Sequence, residues 1–333
     1  MMKKISLILL LSVLVDHNSF ATTLSEALQE AYINNPVLNA ERENIQVSKE
    51  DLNISRSEFL PSVTLSGSKS QESTKKLTDR SGTNSTIIDV DPESQSVVIE
   101  QKIFQGFAGL ADVEKSKIGL NLAEAKLLKA EQDILYKAVE AYSGLIFANE
   151  KLNINQNNIN LLERQVETDQ ARLERAQITL TDLAQSESSL AGAQAKFIQA
   201  KNEMITAKLV YEKTIGPITN VDELNKDLDF NFEIPKNLNK AIEISKNNNP
   251  NLIIAKLDYE QSEKDVTISR AELSPSATLS LSSTKTDDLS SSFDEQDKDI
   301  AKATISWPMF KGGKNIASLN RSKNLKNRKK LLL

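Results

Sequence analysis

Between Leu110 and Tyr211 the apolar residues recur at the seven-residue step of packed, coiled-coil-like helices. One line runs Leu183, Leu190, Phe197, Met204 and Tyr211, and three residues after the first four stand Ser186, Ala193, Ala200 and Ala207. Large knobs set beside shallow seats let two helix axes approach closely. The preceding segment keeps the same period in Leu145, Leu152, Ile159, Val166 and Leu173, with Ala148, Leu162 and Ala176 on the adjoining line. The two stripes predict one long antiparallel hairpin. Its turn falls at Gln177 to Asp182, where β-branched Ile178, Thr179 and Thr181 interrupt a helix-favouring composition and Thr179 or Thr181 can cap the returning helix. The first arm, Gly109 to Ala176, holds 68 residues, about 100 Å of helix, which exceeds an ordinary globular domain. The second arm stops near Ile215-Gly216-Pro217. On periodicity alone, a plain structural rod accounts for this part of the chain equally well.

Elsewhere the pattern changes from a step of seven to a step of two. Ser62 to Ser68 alternates Ser62, Thr64, Ser66 and Ser68 with Val63, Leu65 and Gly67, and Ser276 to Ser282 alternates Ser276, Thr278, Ser280 and Ser282 with Ala277, Leu279 and Leu281. Two further segments continue the scheme: Val97, Ile99 and Ile103 oppose Glu100 and Lys102, while Ala301, Ala303, Ile305, Trp307 and Met309 oppose Lys302, Thr304 and Ser306. Four strands, apolar on one face and hydroxylated or charged on the other, suit a barrel with lipid outside and water inside. A half-buried sheet in a soluble sandwich is the alternative that alternation alone leaves open. Polar loops are expected at Gln71 to Glu93 and Lys285 to Asp297, between the members of each strand pair. Four strands cannot close a barrel, because the smallest need about eight, so closure requires several chains.

The chain is also written twice. Residues Leu24 to Ser68 and Leu238 to Ser282 align without a gap at an offset of 214, with 18 of 45 pairs identical, among them Asn34-Asn35-Pro36 with Asn248-Asn249-Pro250 and Ile54-Ser55-Arg56 with Ile268-Ser269-Arg270. This period is too long for a solenoid and reads as a duplicated half-protein: helix, proline, then strand.

Composition narrows the chemistry. The chain has no cysteine, and its one histidine, His17, lies in an N-terminal segment with a basic start (Lys3, Lys4), an apolar run from Ile5 to Val15 and a small-residue ending at Ser19-Phe20-Ala21. Those features predict a secretory signal peptide over 1–21, since eleven apolar residues fall short of about 30 Å of hydrocarbon. Removing it shifts the formal charge from -5 to -6 by taking away Lys3, Lys4 and Asp16, so nucleic acid is not the expected partner. Without Cys or His in the mature chain, metal and thiol chemistry are nearly excluded, and no cofactor is expected. Asp and Glu are scattered over helix faces, and neither a Gly-rich phosphate loop nor a Gly-x-Ser-x-Gly elbow occurs, which argues against an enzyme.

The doubled helix-Pro-strand segment, the strand exits Ile103-Phe104-Gln105-Gly106-Phe107 and Met309-Phe310-Lys311-Gly312-Gly313, and the long hairpin together resemble the TolC family of outer-membrane efflux and type I secretion channels. That resemblance implies a mainly α fold with β: long antiparallel coiled-coil helices forming an α-barrel wall, plus four strands given by each subunit of a homotrimer to a 12-stranded transmembrane β-barrel. It also implies a passive conduit in the outer membrane with a periplasmic helical extension, coupled through a periplasmic adaptor to an inner-membrane pump. Under it, Ser62, Thr64, Ser66, Glu100, Lys102, Ser276, Thr278, Ser280, Lys302, Thr304 and Ser306 face the barrel lumen. The loop Gln177, Ile178, Thr179, Leu180, Thr181 and Asp182 becomes the tip that contacts the adaptor, with Thr181 and Asp182 in bonds that hold the inner end closed. Helix capping by Thr181 and dipole compensation by Asp182 would select the same two residues. Where the family usually has glycine, this chain has Ala176.

The expected organisation is a signal peptide at 1–21, a first structural repeat at 22–215, an equatorial linker at 216–237 and a second repeat at 238–333. After Phe310-Lys311-Gly312-Gly313 only about twenty residues follow, so the second repeat is expected to be truncated before its own long hairpin and the pore to be incomplete. The competing reading is a periplasmic coiled-coil tether or adaptor, although no lipoyl-like β-domain is evident.

Overall fold

A computed structural model of the chain describes residues 23–78, 81–82, 85–226, 235–290 and 293–333. The signal peptide expected at 1–21 and residues 227–234 of the expected linker lie outside the described residues.

The duplication is carried into three dimensions element by element. Helices α1 (Leu24–Asn34) and α2 (Pro36–Ser57) recur as α5 (Leu238–Asn248) and α6 (Pro250–Ala271), with lengths of 11 and 22 residues in both copies. The repeated Asn-Pro explains the break between them. Asn35 and Asn249 turn their side-chain oxygens onto the N–H groups of Val37 and Asn251, each at 3.0 Å, and proline in the first helical position has no N–H left to satisfy. Helix α1 itself opens on a reciprocal cap. Thr23 accepts from the Glu26 N–H at 3.2 Å, and the Glu26 carboxylate accepts from the Thr23 N–H at 3.0 Å.

Strands β1 (Ser62–Lys69), β4 (Glu93–Gln105), β5 (Ser276–Ser290) and β6 (Phe293–Ser306) form one antiparallel sheet in the order β1-β4-β5-β6. Its central β4–β5 pairing joins the first repeat to the second, and β1 and β6 are its two edges. Between β1 and β4 the chain forms a separate ribbon of β2 (Glu72–Thr78) and β3 (Ser85–Val90). The polar loops expected at 71–93 and 285–297 are thus corrected: the first contains this hairpin, and in the second β5 and β6 run on until only residues 291–292 separate them. Serine and threonine suggest loops in both segments, but cross-strand hydroxyl and β-branched pairs also stabilise a ladder.

Helix α3 (Ala108–Glu174) is continuous over 67 residues and is followed by α4 (Leu180–Thr214), as the heptad lines require. The remaining elements are a short 3-10 turn at Val221–Glu223 and helix α7 (Lys314–Leu332). The described residues form two compact units, one from residues 23–39 and 130–226 and one from the described parts of 40–129 and 235–333.

The first unit is centred on small and aromatic residues. Ala27 and Ala31 of α1 pack with Ala138, Ala141, Tyr142 and Leu145 of α3 and with Tyr211 and Ile215 at the end of α4. The Tyr142 and Tyr211 rings lie 6.4 Å apart, and the Tyr142 hydroxyl donates to the Asn225 carbonyl at 2.9 Å. Burial first, then the neighbouring Tyr142, push the Tyr211 pKa up to about 12.

In the second unit short side chains bring helices together. Ser55 meets Ser116 of α3 at 2.7 Å, and Ser269 of α6 meets Ser322 of α7 at 2.7 Å. Ion pairs Lys115–Asp265 (2.8 Å), Lys264–Glu114 (2.6 Å) and Lys329–Asp258 (3.3 Å) rim these seams.

Candidate functional site

Two places carry the predicted functional residues: the two faces of the four-stranded sheet and the turn between α3 and α4. In an antiparallel ladder, residues directly opposite each other share a face. The register pairs Ser62 with Glu100, Glu100 with Ser280 and Ser280 with Lys302. Lys102, Thr278 and Thr304 make the next row on that face, Ser276 pairs with Ser306, and Thr64 and Ser66 oppose Val98 and Ser96. All eleven residues read from alternation as lumen-facing therefore lie on one face. Val98 and Ile300 are apolar exceptions within it. Hydroxyl ladders tie the strands there, with Ser66 and Ser96 at 2.7 Å and Ser94 and Thr286 at 2.9 Å.

The opposite face carries Val63, Ile99, Leu281 and Ala301 in one row, Leu279 and Ala303 beside Gln101 in the next, and Phe104, Ala277 and Ile305 in a third. Ile103 departs from the simple alternation expected of it. The ladder shifts between Lys102 and Phe104, leaving Ile103 as an extra, bulged residue, so Phe104 rather than Ile103 stands opposite Ala277. The apolar face is open: Leu65 is 78 % exposed and Ile305 80 %. Beyond the end of β6 the exposed surface continues in Trp307, Met309 and Phe310, and the Trp307 indole N–H donates to the Leu273 carbonyl at 3.1 Å. From Ala277 to Ser283 this band covers about 20 Å along the strand.

Both strand exits turn through the same backbone device. Gly106 and Phe107 have φ of 60° and 68°, and Gly312 and Gly313 have φ of 59° and 80°. At Gly106 a side chain is excluded for a second reason, because a Cβ there would stand 2.6 Å from the Ser274 Cβ and 2.9 Å from the Ala271 carbonyl oxygen. The Phe104 and Phe107 rings meet edge to face at 5.5 Å beside this turn.

At the hairpin turn the chain reverses over residues 175–179. The Ala176 N–H donates to the Leu173 carbonyl at 2.8 Å and the Gln177 N–H to the Arg172 carbonyl at 2.9 Å, with Ala176 at φ 51°. This is the left-handed helix terminus usually occupied by glycine. Ala176, expected on the inner line of α3, is instead in the turn and exposed. Thr179 is the residue that caps α4: its hydroxyl accepts from the Asp182 N–H at 3.3 Å, and the Asp182 carboxylate accepts from the Thr179 N–H and hydroxyl, both at 2.8 Å. Those bonds, the backbone one first, hold the Asp182 carboxyl below the usual carboxylate range. Thr181 lies inside the helix and does not cap it. Gln177, Thr179, Leu180, Thr181 and Asp182 are exposed and Ile178 is half-buried.

Behind the turn is a cluster that alternation in the sequence does not reveal. Asp169 of α3 is buried at 5 % exposure. Ser186 of α4 donates to its Oδ2 at 2.6 Å and Gln165 at 2.7 Å, and Arg172 approaches Oδ1 at 3.7 Å. The heptad pattern predicts Ser186 only as a small seat for a facing knob. The available signal was the inner line itself, where Asn155 and Asp169 break the run Ala148, Leu162.

The profile of the outer membrane efflux protein family matches residues 27–216, and the chain belongs to that family. It is 25 % identical over 314 residues to the outer membrane efflux protein BepC of Brucella suis, covering 94 % of this chain and 66 % of BepC. It is 21 % identical to the alkaline protease secretion protein AprF of Pseudomonas aeruginosa, over 92 % of this chain and 64 % of AprF. Among solved structures, the Campylobacter jejuni CmeC outer membrane channel superposes with a TM-score of 0.76 at 16 % identity, covering 92 % of this chain and 66 % of CmeC. The fold is that of the TolC-like channels, as the sequence resemblance implied. The chain spans about two thirds of the length of the relatives it matches.

Proposed function

We propose that the chain is a subunit of a passive outer-membrane channel for efflux of small molecules, type I protein secretion, or both. The observation that carries this reading is the sheet: one hydroxylated and charged face, one exposed apolar face, and free edges at β1 and β6. An exposed apolar surface of that extent marks a contact with lipid or protein. Open edges are not tolerated in hydrocarbon, where each unsatisfied backbone group costs several kcal/mol, so the edges must be closed by neighbouring copies. Three copies would supply twelve strands, with Ser62, Thr64, Glu100, Lys102, Ser280, Lys302 and their row-mates toward the water-filled interior. Long helices such as α3 and α4 would line a periplasmic conduit. The turn Gln177 to Asp182 would meet a periplasmic adaptor, itself coupled to an inner-membrane pump. The membership in an efflux family and the likeness to secretion proteins support this reading.

The decisive experiment is expression with the leader in a Gram-negative host, membrane fractionation, and electrophoresis of heated and unheated samples. A trimer-sized band that collapses on heating, in the outer-membrane fraction, is the expected result. Recovery only from soluble periplasm would overturn the channel in favour of a helical tether.

A further inference from the structure

We infer that Asp169 is a register pin: its buried carboxylate, fastened to Ser186 on the returning helix, selects the single heptad alignment in which α4 packs on α3 and so fixes which residues form the turn. The seam alone does not specify this. Leu145, Leu152, Ile159, Val166 and Leu173 face Leu183, Leu190, Phe197, Met204 and Tyr211 at an identical step of seven, with small or medium residues between. Sliding one helix past the other by one heptad, about 10 Å, puts knobs on knob sites and seats on seats again. The observed pairs Asp169–Ser186 and Lys151–Glu203 are both centred on residues 177–178. A slip of seven in the pairing would move the turn by about three to four residues along the chain, replacing the present tip with a different set of side chains.

Asp169 opposes that slip because its alternatives are costly. In the observed register its oxygens meet the Ser186 hydroxyl, the Gln165 amide and Arg172. One heptad away, the position facing it would be Ala193, which has no donor, or Thr179, whose hydroxyl is already given to the Asp182 carboxylate, so the buried carboxylate would lose its bond across the seam. The Tyr142–Tyr211 pair marks register at the opposite end of the hairpin, whereas Asp169 lies within two turns of the tip. A polar residue in an otherwise apolar seam commonly fixes alignment at some cost in stability. The inference concerns the hairpin itself and stands apart from whether the tip engages an adaptor.

Because the chain has no cysteine, two introduced cysteines carry spin labels without background. Labels at exposed Arg164 and Ser189, on opposite arms near the tip, report register through their distance distribution in the 333-residue chain. One narrow distribution is expected for the parent. Asp169→Leu should raise the thermal midpoint, since Leu suits the seam, yet add a second distance or broaden the first, and Asp169→Asn should keep the narrow distribution because it still accepts from Ser186. Should Asp169→Leu fail to fold, Ser186→Ala carries the same test. A single narrow distance, unshifted, in Asp169→Leu, or in Ser186→Ala where Asp169→Leu does not fold, overturns the pin.

Discussion

Single residues set the turns of this molecule, and they do so by backbone conformation as much as by contact. Gly106 is required twice over, by its positive φ and by the approach of Ser274 and Ala271. Ala176 occupies a left-handed terminus that glycine adopts without a Cβ penalty. Ala176→Gly should therefore stabilise the folded chain by about 1 kcal/mol, read as a higher urea midpoint by far-UV circular dichroism. An unchanged or lower midpoint would mean that the turn holds alanine without strain. The repeated Asn-Pro steps show the complementary case, in which two ordinary residue types end one helix and begin the next at both positions of the duplication.

At the scale of elements, the hairpin is a heptad seam with one charged interruption. The stripe Leu183, Ser186, Leu190, Ala193, Phe197, Ala200, Met204, Ala207 and Tyr211 is buried or half-buried throughout, so periodicity located the packed face of α4 correctly. Near the tip, hydrogen bonds from Ser186 and then Gln165, with a smaller contribution from Arg172, hold the Asp169 carboxyl below its ordinary value. Asp182 is held low chiefly by its bonds from Thr179, against the repulsion of Asp169 and with a smaller lowering from Arg172. A lowered folded pKa means that the stabilisation is complete above the unfolded value of about 4 and is lost as pH falls through the lower folded value. The thermal midpoint should accordingly drop between about pH 5 and pH 2, and the double variant Asp169→Asn with Asp182→Asn should lose part of that dependence. Parallel pH curves for parent and double variant would show that these two carboxyls do not contribute.

For the molecule as a whole, the proposed channel predicts where lipid would meet protein. Trp307 is the one tryptophan of the chain, and it stands with Met309 and Phe310 where the exposed apolar band leaves β6. Amphipathic rings of this kind collect at the water boundary of a bilayer. In proteoliposomes, phospholipids brominated near the carbonyl end of the acyl chain should quench Trp307 more strongly than those brominated near the terminal methyl. Absence of quenching by either would put the aromatic cluster outside the membrane and remove the basis for a lipid-facing sheet. Among the described residues no helix is long and apolar enough to cross a membrane.

Local order is legible in the sequence. The period of seven defined two helices and the face that joins them, the period of two sorted Ser62, Thr64, Lys102, Lys302 and their companions onto one side of a sheet, and an offset of 214 paired α1 and α2 with α5 and α6. The two periods depend on neighbours a few residues away, which the chain encodes directly, and the duplication is read by laying one stretch of sequence on another. What needed the tertiary structure was every feature set by long-range register: the β1-β4-β5-β6 order that couples the two repeats, the bulge at Ile103, the ribbon within an expected loop, and the meeting of Asp169 with Ser186. Periodic patterns are unchanged by a slip of one period, so they state which residues share a face but not which residue stands opposite which. Only the folded pairing removes that degeneracy.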